Sequence, residues 1–193
     1  MKTIYLTRKT TPDSIIPYGD NVRVVEDGEI IYDGACSTNP NPFKPGLNFS
    51  WKNSYAQVAA GTYSWEFVKG HPKFGDCIMF QSGGQMKTTN ANVNHGGAYY
   101  AMEIFMHHGD KSYWRGSAAC FTIPPDKASV FFGRFELGDR GTMMLYDQSA
   151  KDITGLPTIL SILLLVGTAM VLGKRSLSWE HPPTLLFHNI PTA

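Results

Sequence analysis

From Ile153 to Gly173 the chain runs 21 residues without a charged side chain, densest over Thr158 to Gly173, Thr-Ile-Leu-Ser-Ile-Leu-Leu-Leu-Val-Gly-Thr-Ala-Met-Val-Leu-Gly. A helix of that length covers about 30 Å, the thickness of a bilayer's hydrocarbon, so the stretch reads as one transmembrane helix. A buried core helix would be shorter and would carry polar positions at helical spacing. Pro157 falls near the first turn, where proline costs little. Any water-soluble fold is thereby confined to residues 1–150, with 174–193 left as a tail. Lys174 and Arg175 at one end, against Lys151 and Asp152 at the other, slightly favour a cytoplasmic C-terminal end and an N-terminal domain outside. Trp179, Leu185, Leu186 and Phe187 make the tail apolar enough to dock on a capsid or membrane-protein partner.

The composition of the whole chain favours strands. Nineteen glycines and 12% aromatic residues suit a strand-and-turn protein better than a helical bundle, which gives a β-rich α+β class. Seventeen Lys and Arg against sixteen Asp and Glu leave a net charge of +1 with no basic cluster, so no nucleic-acid partner is expected. Three cysteines without Cys-x-x-Cys spacing argue against a zinc knuckle or a disulfide framework. At most one bridge can form, and Cys36 with Cys77 is the pairing that leaves Cys120 free. Met1 to Arg8 alternates polar and apolar residues and lacks the apolar core of roughly 7–15 residues that a signal peptide needs.

Along the chain, Asn21 to Tyr32 reads as a hairpin about an Asp-Gly turn, and Gly61 to Phe67 and Asp76 to Phe80 read as strands. Gln81 to Gly97 reads as a long polar loop, and Ala98 to His107 as one strand with Phe105 and His107 on one face and Met106 on the other. On that alternation His107 points away from the apolar face and His108 toward the core. A short helix is expected after Thr122-Ile-Pro-Pro, with Ala128, Phe131, Phe132 and Phe135 at helical spacing and Gly133 or Gly138 to end it. Thr142 to Asp147 completes the strands.

His107 and Cys120 are the residues with chemistry to offer. A thiol attacks carbonyl carbon as thiolate, and a neighbouring imidazole is the usual means of producing one near neutral pH. Gly116-Ser117-Ala118-Ala119 places small residues just before the thiol, where backbone amides can approach a substrate and hold an oxyanion. Arg115 and His107 are expected to lower the thiol pKa by their positive character. His95, in Asn92-Val-Asn-His95-Gly-Gly97, is a further candidate for the site. Adjacent histidines on a strand point to opposite faces, so His107 and His108 are not expected to share a metal ion, and neither a metal nor a cofactor is expected.

These residues resemble the L,D-transpeptidase (YkuD-type) catalytic domain, in particular a compact branch with a His-x-Gly turn, Gly-Ser-x-Gly-Cys and an apolar-Thr-Ile continuation. His107-His-Gly109, Gly116-Ser117-Ala-Ala-Cys120 and Phe121-Thr-Ile match all but one position, Gly61-Thr-Tyr63 resembles that branch's Gly-x-Tyr strand, and Thr88 to Gly97 its Asn-rich loop. Residues 1–146 are covered. The resemblance implies a YkuD-like β-sandwich or barrel with a short helix after the nucleophile. It also implies Cys120 as thioester-forming nucleophile, His107 as its base, Ser117 as the motif's Ser/Thr, and the amides near Ala119 and Cys120 as oxyanion donors. Gly116, Arg115 and His95 are the remaining candidate substrate-side residues. The sequence departs from the family where Ala118 replaces a histidine, Ala119 a glycine, and Thr122 an Arg or Asn; Ala119 would be strained if its position needs a positive φ.

Together these readings imply a membrane-anchored enzyme acting on peptidoglycan stem peptides, as hydrolase or transpeptidase, of the kind a lytic protein in a phage virion membrane would be. The competing expectation is a non-catalytic structural or wall- or capsid-binding protein with an inert thiol.

Overall fold

Eight of ten strands form one sheet, and the other two pair separately. The computed structural model describes residues 1–42, 55–110 and 117–148. The strands are β1 (Lys2–Arg8), β2 (Asp20–Glu26), β3 (Glu29–Cys36), β4 (Gly61–His71), β5 (Gly75–Phe80), β6 (Met86–Asn92), β7 (Ala98–Ala101), β8 (Phe105–His108), β9 (Phe121–Ile123) and β10 (Arg140–Asp147), with one helix, α1 (Pro125–Phe132). The large sheet has the order β3-β2-β1-β10-β4-β5-β8-β9, and β6 and β7 stand apart as a two-stranded sheet. β1 pairs parallel with β10 and β8 parallel with β9, and the other pairs of the large sheet are antiparallel.

The sheet comes close to closing on itself. Its edge strands β3 and β9 meet just past the end of β3, where Ser37 N–H donates to the Thr122 carbonyl at 2.8 Å and Thr122 N–H to the Ser37 carbonyl at 2.9 Å. Closure removes the exposed edge that an open sheet must otherwise protect. Ile4, Leu6, Val22, Val24, Ile78, Phe80, Met106, Phe121, Ile123, Phe131, Met143 and Leu145 fill the interior and are at most 1% exposed.

Local sequence explains most elements. The alternation in Met1 to Arg8 is that of a half-buried strand, with Ile4 and Leu6 inward and Tyr5 outward, and this segment lies in mid-sheet as β1. The β2–β3 turn is Asp27-Gly28, both at positive φ (49° and 89°), as a two-residue hairpin demands. Pro125 opens α1 and Gly133 N–H closes it onto the Ser129 carbonyl at 3.0 Å.

Three expectations are corrected. Ala98 to His107 is two strands in different sheets: Glu103 between them takes a left-handed φ of 53°, and its N–H donates to Gly83 at 3.1 Å. Gln81 to Gly97 is not a plain loop, because Met86–Asn92 pairs antiparallel with β7, Met86 opposite Ala101 and Asn92 opposite Ala98, and buries Met86 and Thr88. His107, not His108, is the buried histidine, at 4% exposure. Cys36, Cys77 and Cys120 are all free thiols. The uncharged run 153–173 and the tail 174–193 lie outside the described residues, among which no helix is long and apolar enough to cross a membrane.

Candidate active site

A parallel strand pair sets His107 opposite Thr122, two residues past Cys120, with no hydrogen bond observed between the imidazole and the thiol. β8 and β9 align Met106 with Phe121 and His107 with Thr122. Met106 and Phe121 face the core, so strand alternation turns Phe105 and His107 to the outer face. Phe105 N–H donates to Cys120 Sγ at 3.5 Å, which fixes the thiol level with Phe105, two residues from His107 along β8. Two residues of strand are about 6.6 Å, so the cross-strand diagonal from His107 to the Cys120 position is about 8 Å, within the combined reach of two side chains pointing toward each other.

The imidazole is oriented and neutral. His107 Nδ1 lies 2.7 Å from the His108 carbonyl, an acceptor only, so Nδ1 carries the hydrogen and Nε2 keeps its lone pair. Phe74, in the β4–β5 turn, stacks on the ring at 4.3 Å and 13° between planes, and His71 packs on Phe105 at 5.1 Å. Burial under this cover lowers the His107 pKa to about 4, with the charges of His108 and Lys73 acting in the same direction and the His108 carbonyl opposing.

Cys120 is half-buried. Burial raises its pKa, opposed by the Phe105 N–H, the Lys73 charge and its own amide. The expected lowering of the thiol pKa is thus not found: the resting pair is thiol and neutral imidazole. Sγ also lies 3.9 Å from the Glu103 carbonyl, which places the left-handed residue of the β7–β8 break against the thiol.

The segment before the thiol is pinned from several sides. Asn41 N–H donates to Ser117 O at 2.9 Å and Ala56 N–H to Ala118 O at 3.2 Å. Ser117 Oγ, 4% exposed as a residue, donates to the Cys120 carbonyl at 2.5 Å, so this hydroxyl braces the turn that carries the thiol. Ala119 is not among the left-handed residues and its methyl packs on the core, so alanine suits a position where glycine was expected. Arg115 and Gly116 lie outside the described residues. His95 sits in a 3-10 turn, Val93–His95, with its ring 5.1 Å from that of Tyr100 in the small sheet. No observed contact joins His95 to Cys120 or His107.

Beneath the site lies a buried polar network that sequence pattern did not reveal. Asp20 accepts Lys9 N–H, Thr10 N–H and Thr10 Oγ on Oδ1, and Thr38 N–H, Thr38 Oγ and Asn39 Nδ2 on Oδ2. Arg8, 5% exposed, donates to Thr38 Oγ and to the Thr38 and Val58 carbonyls and pairs with Asp147 at 2.6 Å. This network fixes Ser37 to Asn41, the same segment that bonds Ser117 and Thr122. The buried ends of the alternating strands, Arg8 and Asp20, were the only available signal.

No family model and no curated protein matches this chain. Solved structures similar to it include an L,D-transpeptidase (Yku) from Stackebrandtia nassauensis, 17% identical over 77% of this chain and 57% of that one, with a TM-score of 0.38. The catalytic domain of an E. faecium L,D-transpeptidase is 15% identical over 76% of this chain and 97% of that one, TM-score 0.38. The helical cell shape determining protein Pgp2 from Campylobacter jejuni is 13% identical over 88% of this chain and 57% of that one, TM-score 0.41. The chain thus spans just over half the length of the first of these. None of the three reaches a TM-score of 0.5, and no assignment is drawn from them.

Proposed function

We propose that this chain is a cysteine acyltransferase or hydrolase acting on the stem-peptide amides of peptidoglycan, with Cys120 as nucleophile and His107 as base. The observation that carries the reading is the His107 Nδ1–His108 carbonyl bond, which leaves Nε2 unprotonated on the face and at the strand pair where the thiol sits. The substrate class rests on the likeness of His107-His-Gly109 and Gly116-Ser117-Ala-Ala-Cys120 to the L,D-transpeptidase motif.

In the reaction, the Cys120 Sγ–H proton passes to His107 Nε2 as sulfur attacks the amide carbonyl. The oxyanion of the tetrahedral adduct is held by the amides near Ala119 and Cys120. Collapse expels the amine, which takes the proton from His107 and leaves a thioester on Cys120. Water or a second amine then resolves the thioester, with His107 accepting that nucleophile's proton. In the same reading the uncharged run 153–173 tethers the domain to a membrane beside its substrate.

A second reading, an inert thiol on a wall- or partner-binding domain, is favoured by the raised Cys120 pKa. Muropeptide mass spectrometry after incubation with wild type and Cys120→Ala separates the two. New or lost cross-links with wild type alone support the enzyme; identical profiles leave only binding.

A further inference from the structure

The β4–β5 turn, His71-Pro72-Lys73-Phe74-Gly75, supplies the cover over His107 and sets a cation beside that cover. Lys73 N–H donates to His71 Nδ1 at 3.2 Å, so the turn folds onto its own histidine. The His71 ring stacks on Phe74 at 5.1 Å and packs on Phe105 at 5.1 Å, and Phe74 stacks in turn on His107 at 4.3 Å. Lys73 Nζ lies over the Phe74 ring, 5.0 Å from its centroid. The ammonium is thus held on the same ring that covers the base, rather than swinging freely from a solvated turn.

Lys73 has no acidic partner among the described residues. The acid nearest to it in the chain, Asp76, accepts the Gly70 N–H at 3.0 Å instead. Among the described residues Lys73 is the lysine or arginine whose charge acts on both Cys120 and His107, favouring a thiolate and opposing an imidazolium. Those two effects oppose each other in a thiolate–imidazolium pair, so proton transfer alone gives no reason for an ammonium at this place. An anion brought in by a substrate does give one. The direction of the chemistry says which part of a substrate that is. The amine leaving the tetrahedral adduct takes its proton from His107, so the residue on the amine side of the scissile bond lies at the imidazole. Phe74 and Lys73 stand at that same imidazole.

We propose that Lys73 is a specificity-determining residue, its ammonium selecting amides whose amine-side residue carries a carboxylate. The carboxylate pairs with Lys73 Nζ while the remainder of that residue packs on Phe74. No bond is made to Lys73: the carboxylate enters with the substrate and departs with the expelled amine. This rests on the reading of Cys120 and His107 as the reactive pair.

The test compares Cys120 alkylation by three probes on the full chain, read by peptide mass spectrometry. Bromoacetyl-glycine ends in a carboxylate, bromoacetyl-aspartate α-amide carries one on its side chain, and bromoacetyl-glycinamide is neutral. In each, sulfur displaces bromide and the charged or neutral group follows the amide, as it would in a substrate. The ratio of anionic to neutral rate cancels any effect of Lys73 on the thiol pKa, because that effect changes both rates alike. Wild type should favour at least one anionic probe by about fivefold at low salt, the scale of one screened surface ion pair, and less at high salt. The ratio should fall to about one in Lys73→Met, drop below one in Lys73→Glu and persist in Lys73→Arg. Which anionic probe is preferred separates a chain-terminal carboxylate from a side-chain one. A ratio in Lys73→Met equal to that of wild type, with Cys120 still reactive, overturns the inference and leaves the reactive pair standing. A Cys120 that resists all three probes in the folded protein overturns the reactive-pair reading itself.

Discussion

Asp20 accepts both the amide and the hydroxyl of Thr38, at 2.9 and 2.7 Å, and through that pair of bonds the start of β2 holds the segment that braces Ser117 and Thr122. Removing the carboxylate takes the acceptor from the Lys9 and Thr10 amides and from the amide of Thr38. Asp20→Ala is expected to cost about 3 kcal/mol, measured as a fall in the urea midpoint at constant slope. Because the network lies under the thiol, the folded fraction of Asp20→Ala should also show a changed alkylation rate at Cys120. A midpoint within error of wild type would mean that the network contributes nothing net.

Phe74 is the lever on His107. The largest cause of its lowered pKa is burial, and the stacked Phe74 ring supplies the cover. Phe74→Ala should therefore bring the imidazole back from about 4 toward its ordinary value near 6.5, read by NMR titration of the ring protons. The sign of the linkage follows: the unfolded chain binds this proton more readily than the fold, so the contribution of His107 to stability is complete above about pH 6.5 and is lost as pH falls toward 4. That loss is on the order of 3 kcal/mol. His107→Gln should flatten this part of the pH profile in denaturation experiments between pH 7 and 4; an unchanged slope would remove His107 as its source.

Gly109 meets Tyr18 so closely that a Cβ built on it would lie 2.0 Å from the Tyr18 hydroxyl, which itself donates to Asp110 O at 2.6 Å. The glycine of the His-x-Gly turn is therefore required by packing at the end of β8. Gly109→Ala is expected to destabilise by about 2 kcal/mol. Tyr18→Phe in the same chain should recover part of that loss, because the hydroxyl is the nearest atom. Purely additive losses in this double-mutant cycle would show that the two residues do not meet.

What could be read from the sequence was whatever depends on period or on motif. The alternation in Lys2–Arg8, the Asp27-Gly28 turn and the proline-opened helix all follow from local rules. Interactions between segments far apart in the chain were not legible. Glu103 breaks an alternating run because Gly83 captures its amide, and Phe74 reaches His107 from a turn thirty-odd residues earlier. Ser37 closes the sheet onto Thr122 although nothing in either tripeptide marks it. His95 carries the residue type of a site but lies in the 3-10 turn between β6 and β7, against Tyr100.

The three thiols should separate sharply in reactivity. Cys36 and Cys77 are both 0% exposed, and burial pushes Cys36 well up and Cys77 to about 11, whereas Cys120 is half-buried beside a neutral base. Iodoacetamide on the folded protein should give one adduct, at Cys120, with the other two appearing only in denaturant. Because burial raises the Cys120 pKa as well, the thiol form dominates at pH 7, and the rate should climb steeply with pH from 7 to 8. A substrate-bound site can exceed this basal reactivity only if proton transfer to His107 accompanies attack, so an acylating substrate should react faster at pH 7 than the alkylation rate predicts. Modification of Cys77 at a rate matching Cys120 would show that the β5–β8–β9 face opens as a unit, and the single-thiol picture of the site would fail.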